Sequence, residues 1–234
     1  LRSLIQRVVK DKADAGIAYD GDADRIGVVD DQGKIIWGDQ LMVLFSREIL
    51  KERPGATFIS EVKCSQVMYD DIRKHGGHAV MWKAGHSLIK QKMKETKAAL
   101  GGEMSGHIFF ADRYFGYDDA IYASCRFVEI LKKSGKKISE LLSDLPVTFS
   151  TPEIRKECSE EKKFGIVEKA KKRFARDHEI IDVDGVRILF GDGAWGLIRA
   201  SNTQPVLVLR FEAKTQKRLD EIKSFVESEL EKLF

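Results

Sequence analysis

The chain lacks most of what would place it outside the ordinary globular proteins. It has three cysteines in 234 residues, Cys64, Cys125 and Cys158, far apart and with no CxxC pair. An odd, scattered set excludes a disulfide scaffold and reads as free thiols in a reducing compartment. Four prolines without a glycine repeat exclude a collagen-like chain. Long apolar runs are missing; Leu41 to Phe45 is among the longest uncharged ones and is far too short to span a bilayer. A dominant charge sign is also missing. Forty Lys and Arg against 37 Asp and Glu leave +3, too little to argue for a nucleic-acid face, and neither nucleic acid nor membrane is expected as a partner. Leu1 to Lys12 mixes apolar and basic residues without a hydrophobic core region or a cleavage site, so no signal peptide is read and a cytoplasmic location is expected. The 43% of hydrophobic residues suffices for packed cores in one large domain or two ordinary ones.

Periodicity divides the chain into three stretches. Ser3 to Asp11 has helical apolar spacing, Ile17 to Tyr19 reads as a strand, and Ile26 to Val29 and Ile35 to Trp37 read as a hairpin across Asp31-Gln32-Gly33. From Asp39 strands alternate with helices. Thr57–Val62, His78–Trp82, Ala98–Leu100 and His107–Phe110 are expected strands; Gln40–Arg53, Ser65–Lys74, Ser87–Thr96 and Asp118–Lys133 are expected helices. This rhythm indicates a mixed, mostly parallel α/β sheet, whose ligands sit at the carboxyl ends of strands. After Pro146 come strands Val147–Ser150, Ile180–Val183, Val186–Phe190 and Val206–Phe211, with Gly196–Arg199 as a further strand. The helices there are Glu160–Arg176 and Thr215–Phe234. That is a smaller α+β domain, an antiparallel sheet with two helices, and the lysine-rich helix 160–176 reads as a solvated face. The expected domains are 1–38, 39–146 and 147–234.

Four clusters carry chemistry. Asp20-Gly21-Asp22-Ala23-Asp24-Arg25 sets three carboxylates at alternate positions of a tight loop, where they repel one another unless a cation sits among them. Hard oxygen ligands select Mg²⁺ or Ca²⁺. An EF-hand is excluded, because its sixth and twelfth loop positions hold Arg25 and Asp31 here and a strand precedes the loop. A solvated acidic turn is the alternative, but an arginine beside metal-binding acids suits a phosphate. Gly101-Gly102-Glu103-Met104-Ser105-Gly106-His107 brings a carboxylate, a hydroxyl and an imidazole into a glycine-rich turn suited to sugar hydroxyls, or equally to a plain turn with a satisfied histidine. Arg199-Ala200-Ser201-Asn202-Thr203 would make an anion cradle, or an ordinary polar turn. Lys63 ends an expected strand and His86 lies in a strand-to-helix loop, both where an α/β active site belongs.

In this order the strings resemble the α-D-phosphohexomutase family, most closely its bacterial phosphomannomutase/phosphoglucomutase members. They are Asp-Gly-Asp-Ala-Asp-Arg at 20–25, Trp-Lys-Ala-Gly-His-Ser at 82–87, Gly-Glu-Met-Ser-Gly-His at 102–107, Phe-Gly-Tyr-Asp-Asp at 115–119 and Arg-Ala-Ser-Asn-Thr at 199–203. The resemblance runs along the whole chain. It implies Asp20, Asp22 and Asp24 as Mg²⁺ ligands, Arg25 near the reacting phosphate, and Lys63 and His86 as general acid or base. It implies Glu103, Met104, Ser105, Gly106 and His107 as the sugar-recognition loop, and Arg199, Ala200, Ser201, Asn202 and Thr203 as the phosphate-binding loop. Met104 favours the mannose/glucose branch over phosphoglucosamine mutases, which typically carry Gln there. Ala23 stands where Gly is frequent, and Gln204 where Thr is common.

Such mutases have four domains, each contributing one loop to a common cleft, and interconvert hexose 1- and 6-phosphates. Their phosphoserine lies in a Thr-Ala-Ser-His-Asn-Pro type loop and forms a bisphosphorylated sugar. No such string occurs here. The chain is therefore expected to be the C-terminal half of a mutase, the end of domain two followed by domains three and four, inactive without its missing N-terminal domains. The rival readings are a Mg²⁺-dependent sugar-phosphate phosphatase, a non-catalytic sugar-phosphate-binding fragment and a phosphoglucosamine mutase.

Overall fold

Turn residues and caps cut the chain into short elements, and the computed structural model describes every one of its residues, Leu1 to Phe234. Two compact units result, Leu1–Leu145 and Pro146–Phe234. In the first, the order is α1 (Arg2–Asp11), β1 (Ala15–Tyr19), β2 (Ile26–Asp30), β3 (Ile35–Ile36), α2 (Gly38–Glu52), β4 (Thr57–Glu61), α3 (Gln66–Lys74), β5 (His78–Trp82), α4 (His86–Thr96), β6 (Leu100–Gly102), β7 (Ile108–Phe110), α5 (Ala120–Ser134) and α6 (Ile138–Leu141). The caps are visible in sequence. Ser65 accepts the Val67 N–H at 3.1 Å to start α3, Asp119 accepts the Tyr122 N–H at 2.8 Å to start α5, and left-handed Gly135 ends α5.

Strands β1, β2 and β3 form an antiparallel sheet, and the other four form a sheet in the order β5-β4-β6-β7. There β4 runs parallel to β5 and β6, while β7 returns antiparallel beside β6. The carboxyl ends of β4, β5 and β6 consequently open onto Lys63, His86 and Glu103. Residues 1–38 do not stand apart as a separate body. Ile26, Val28 and Ile36 share one buried cluster with Leu41, Phe45, Leu100 and Phe110. A three-stranded sheet has too little core of its own and uses its neighbour's.

The second unit contains β8 (Phe149–Ser150), β9 (Ile154–Glu157), α7 (Glu160–Phe174), β10 (Glu179–Ile181), β11 (Val186–Leu189), β12 (Trp195–Ala200), β13 (Val206–Ala213) and α8 (Gln216–Glu231). Its sheet runs β10-β11-β12-β13-β8, with β9 also on β13, and every pairing is antiparallel. Ile166, Ala170 and Phe174 of α7 and Leu219, Ile222 and Val226 of α8 pack with Ile198, Leu207, Leu209 and Phe211 in one core. Two features differ from the sequence expectation. Strand β9, Ile-Arg-Lys-Glu, was not expected: it is a polar edge strand that alternates half-buried and exposed positions. The 160–176 helix is not wholly solvated, because Lys163 is buried to 1% exposure.

Candidate active site

Strands β1 and β2 pair from Ala15↔Asp30 to Tyr19↔Ile26, so residues 20–25 form the loop at the end of this hairpin. Ala23 turns the loop with φ +59°, a left-handed conformation that accounts for glycine being the better residue there. The Arg25 backbone N–H and its Nε donate to the Asp20 carboxylate at 3.2 and 2.5 Å. Asp20, Asp22 and Asp24 each bring one carboxylate oxygen within 4.8 Å of the others. Burial raises the Asp24 carboxyl above its ordinary value, and the charges of Asp22 and Asp20 add to this against His107. Burial acts the same way on Asp20, but the Arg25 hydrogen bonds outweigh it and hold that carboxyl low. Three converging hard oxygens whose repulsion Arg25 only partly relieves fit a Mg²⁺ ion.

The tip of the β6–β7 hairpin lies against this loop. The Glu103 N–H donates to the His107 carbonyl at 2.9 Å, and the Ile26 N–H to the Gly106 carbonyl at 3.1 Å. Arg25 and His107 form an antiparallel bridge. Gly106 has φ +100°, and a Cβ there would lie 2.4 Å from the Ile26 carbonyl oxygen, so only glycine permits the approach. Glu103, buried, accepts from the Gly85 N–H at 2.6 Å and from the Ser105 hydroxyl at 3.2 Å. That carboxylate is thereby locked between its own loop and the one leading to His86, with lone pairs to spare for a sugar hydroxyl.

Asp118 joins the rest. Its carboxylate lies 3.2 Å from His86 Nδ1 and 3.0 Å from His107 Nδ1, and it accepts from Lys90 Nζ at 2.9 Å. His107 Nδ1 is also 3.6 Å from Asp24, and the two imidazole centroids are 5.7 Å apart. Burial would raise the Asp118 carboxyl, but Lys90 and His107 reverse this and keep it below its ordinary value. On the other side, Lys63 is 14% exposed, with its ammonium 3.9 Å from Glu61. Glu61 is fully buried and accepts from the Lys63 N–H at 2.6 Å and the Met104 N–H at 3.3 Å. Burial pushes its carboxyl up, opposed by Lys63.

In the second unit Arg199 is the penultimate residue of β12, buried, with Nε donating to Asp184 at 3.0 Å and Nη2 buried without a hydrogen-bond partner. Ser201 Oγ accepts from the Thr203 and Gln204 N–H groups at 3.3 and 3.2 Å, which curls the loop. Ala200 and Ser201 are buried, while Asn202 and Thr203 are exposed. A buried guanidinium with a spare N–H at a serine-curled turn suits an oxyanion.

Two descriptions fit the chain. Phosphoglucomutase/phosphomannomutase, alpha/beta/alpha domain III, matches residues 37–149, and the C-terminal domain of the same proteins matches 153–229. The chain belongs to the phosphoglucomutase/phosphomannomutase family. A Pseudomonas aeruginosa protein named phosphomannomutase/phosphoglucomutase is 48% identical over 232 residues, which is 98% of this chain and 50% of that protein. A phosphoglucomutase from Neisseria gonorrhoeae is 46% identical over 96% of this chain and 49% of its own length. A crystal structure of a phosphoglucomutase/phosphomannomutase family protein from Burkholderia thailandensis superposes with TM-score 0.91 at 40% identity, over all of this chain and 50% of that one. The chain thus spans about half the length of the curated relatives it matches.

Within this family framework, the first unit brings together Asp20, Asp22, Asp24, Arg25, Lys63, His86 and residues 103–107. Arg199 to Thr203 belong to the second unit. Sequence reasoning passed over Asp118, although it stands in the quoted 115–119 string, as well as Lys90, Glu61 and Gly38. Lys90 and Glu61 carried no local signal, being single charges on a helix and at a strand end. Gly38 matters because a Cβ there would lie 2.1 Å from the Glu103 carbonyl oxygen.

Proposed function

We propose that these 234 residues are the sugar- and phosphate-recognising half of a phosphohexomutase that interconverts hexose 1-phosphate and hexose 6-phosphate, of the mannose or glucose series. The supporting observation is the join between the acidic loop and the sugar loop: Asp24, His107, Asp118 and His86 form one chain of contacts. A sugar hydroxyl bound at Glu103 would meet both a metal-ready carboxylate set and the half-buried imidazole of His107. A solvated turn would have no reason for such a join.

In the proposed reaction a phosphoserine supplied from outside residues 1–234 loses its phosphoryl group to O1 or O6 of the sugar. The new P–O bond gives a bisphosphorylated hexose, and the other phosphoryl group then returns to the serine. Mg²⁺ held by Asp20, Asp22 and Asp24 would neutralise charge on the transferring group. His86 or Lys63 takes the hydroxyl proton, and Asp118 holds His86 and His107 in orientation. Arg25 faces the reacting phosphate and Glu103 accepts from sugar hydroxyls. Arg199 and the 201–203 turn grip the phosphate that is not being transferred. By itself the chain is expected to be inactive, since no group in it replaces the phosphoserine.

The test is turnover of mannose and glucose 1-phosphate by the protein that carries this chain together with a serine-bearing N-terminal half, beside the chain alone. The reading predicts activity in the first and none in the second. It is overturned if the longer protein only hydrolyses sugar phosphates to inorganic phosphate.

A further inference from the structure

Lys163 is the one lysine of the chain to be almost wholly buried, at 1% exposure. It lies on α7 beside the core residues Ile166 and Val167. Its Nζ donates to the Ser201 carbonyl at 2.7 Å, to the Gln204 carbonyl at 3.2 Å and to Glu160 at 2.7 Å. All three ammonium protons are therefore engaged. A buried ammonium is a poor choice for stability alone, because an apolar side chain of similar volume would pack there without desolvating a charge. Its anionic partner is weak, because the Glu160 side chain is 66% exposed and water screens it. What Lys163 grips is the entry and the exit of one turn, which Ser201 Oγ curls internally through the Thr203 and Gln204 N–H groups. Arg199, at the start of the turn, keeps a buried N–H without a partner.

We propose that Lys163 is a positioning residue of the 199–204 turn, holding it closed on a phosphate monoester and adding a buried positive charge beneath it. The proposal rests on the phosphate-binding reading of that turn given above. Lys163 does not touch the ligand. It fixes the two carbonyls that frame the turn, so that Arg199, Ser201 and the exposed Asn202 and Thr203 are presented in one arrangement. Without it the turn opens, and each binding event must order the segment afresh.

The experiment titrates inorganic phosphate, and separately glucose 1-phosphate, into the isotopically labelled 234-residue chain and follows its backbone amides. Saturable shifts at Asn202 and Thr203 are expected, and Arg199→Ala should abolish them. If the wild-type chain shows none, or Arg199→Ala leaves them intact, the phosphate-binding reading itself falls and this proposal with it. If they are present, Lys163→Met is expected to weaken both ligands about tenfold, while amides elsewhere in residues 146–234 and the cooperative melt stay as they were. Unchanged affinity in Lys163→Met overturns the role of Lys163 alone. Glu160→Gln changes an exposed side chain and tests the same idea should Lys163→Met fail to fold. With less of the lysine charge neutralised, binding should tighten about two- to threefold. Unchanged or weaker binding in Glu160→Gln overturns the proposal.

Discussion

The two units hold their polar side chains differently. In the first, the polar groups lean on one another: Asp118 is shared by His86, His107 and Lys90, and Glu61 by the Lys63 and Met104 amides. In the second, Arg199 makes one ion pair, with Asp184, and has a donor left over. Moving a proton or holding a cation needs several groups whose charges are set by each other. Gripping an anion needs one buried guanidinium and a fixed turn. The difference predicts that damage in the first unit strikes the chemical step, while damage in the second strikes binding.

The largest effect should come from Asp118→Asn in the longer protein of the proposed reaction. Losing the charge that hydrogen-bonds His86 and lies against His107 should lower kcat about a hundredfold with KM little changed. Steady-state kinetics checks it, and a normal kcat would break the contrast. Next is Gly106→Ala. The added Cβ meets the Ile26 carbonyl at φ +100°, so the chain should lose about 2 kcal/mol in urea unfolding. A neutral result would mean that the two loops are not stitched together. Arg199→Ala should raise KM roughly ten- to hundredfold, about 1.5–3 kcal/mol, with kcat nearly intact, because its contact persists in ground and transition states alike. A collapsed kcat at normal KM would place this turn in the chemical step and erase the difference between the units.

A smaller effect concerns Mg²⁺. Three carboxylates leave an octahedral ion short of ligands, so calorimetry on the 234-residue chain should find a dissociation constant of about 1 mM. Tight binding abolished by Asp22→Ala would show the loop complete without any partner group. The smallest is Ala23→Gly. Relief of the left-handed alanine at φ +59° should stabilise the chain by about 0.5–1 kcal/mol, read as a small rise in the denaturation midpoint.

Much of this was legible before any coordinates. The alternation of strands and helices after Asp39, the change of rhythm at Pro146 and the acidic loop between two strands are local patterns, and the elements formed within a few residues of expectation. The third strand was expected over Ala98–Leu100 and lies instead at Leu100–Gly102. Glycines are poor strand formers in isolation, but here Gly101 and Gly102 pair with Ile59 and Ser60, and their missing Cβ atoms make room for Met93 and Met42. Lys163 was misread for a related reason. A lysine in a lysine-rich helix looks solvated until the 201–204 turn, 38 residues away, supplies its acceptors.

Sequence alone determined the chemistry on offer. The carboxylate spacing at 20–24, the glycines around Glu103 and the Arg199 turn are short-range facts, because loop closure and donor type depend on adjacent residues. Only the tertiary structure decided which of these groups act on one another. Asp118 reaches His86 across 32 residues, Glu61 reaches Met104 across 43, and Gly106 meets Ile26 because the turn between β6 and β7 folds onto the start of β2. Electrostatic coupling and close backbone approach fall off over a few ångströms of space, whatever the separation along the chain.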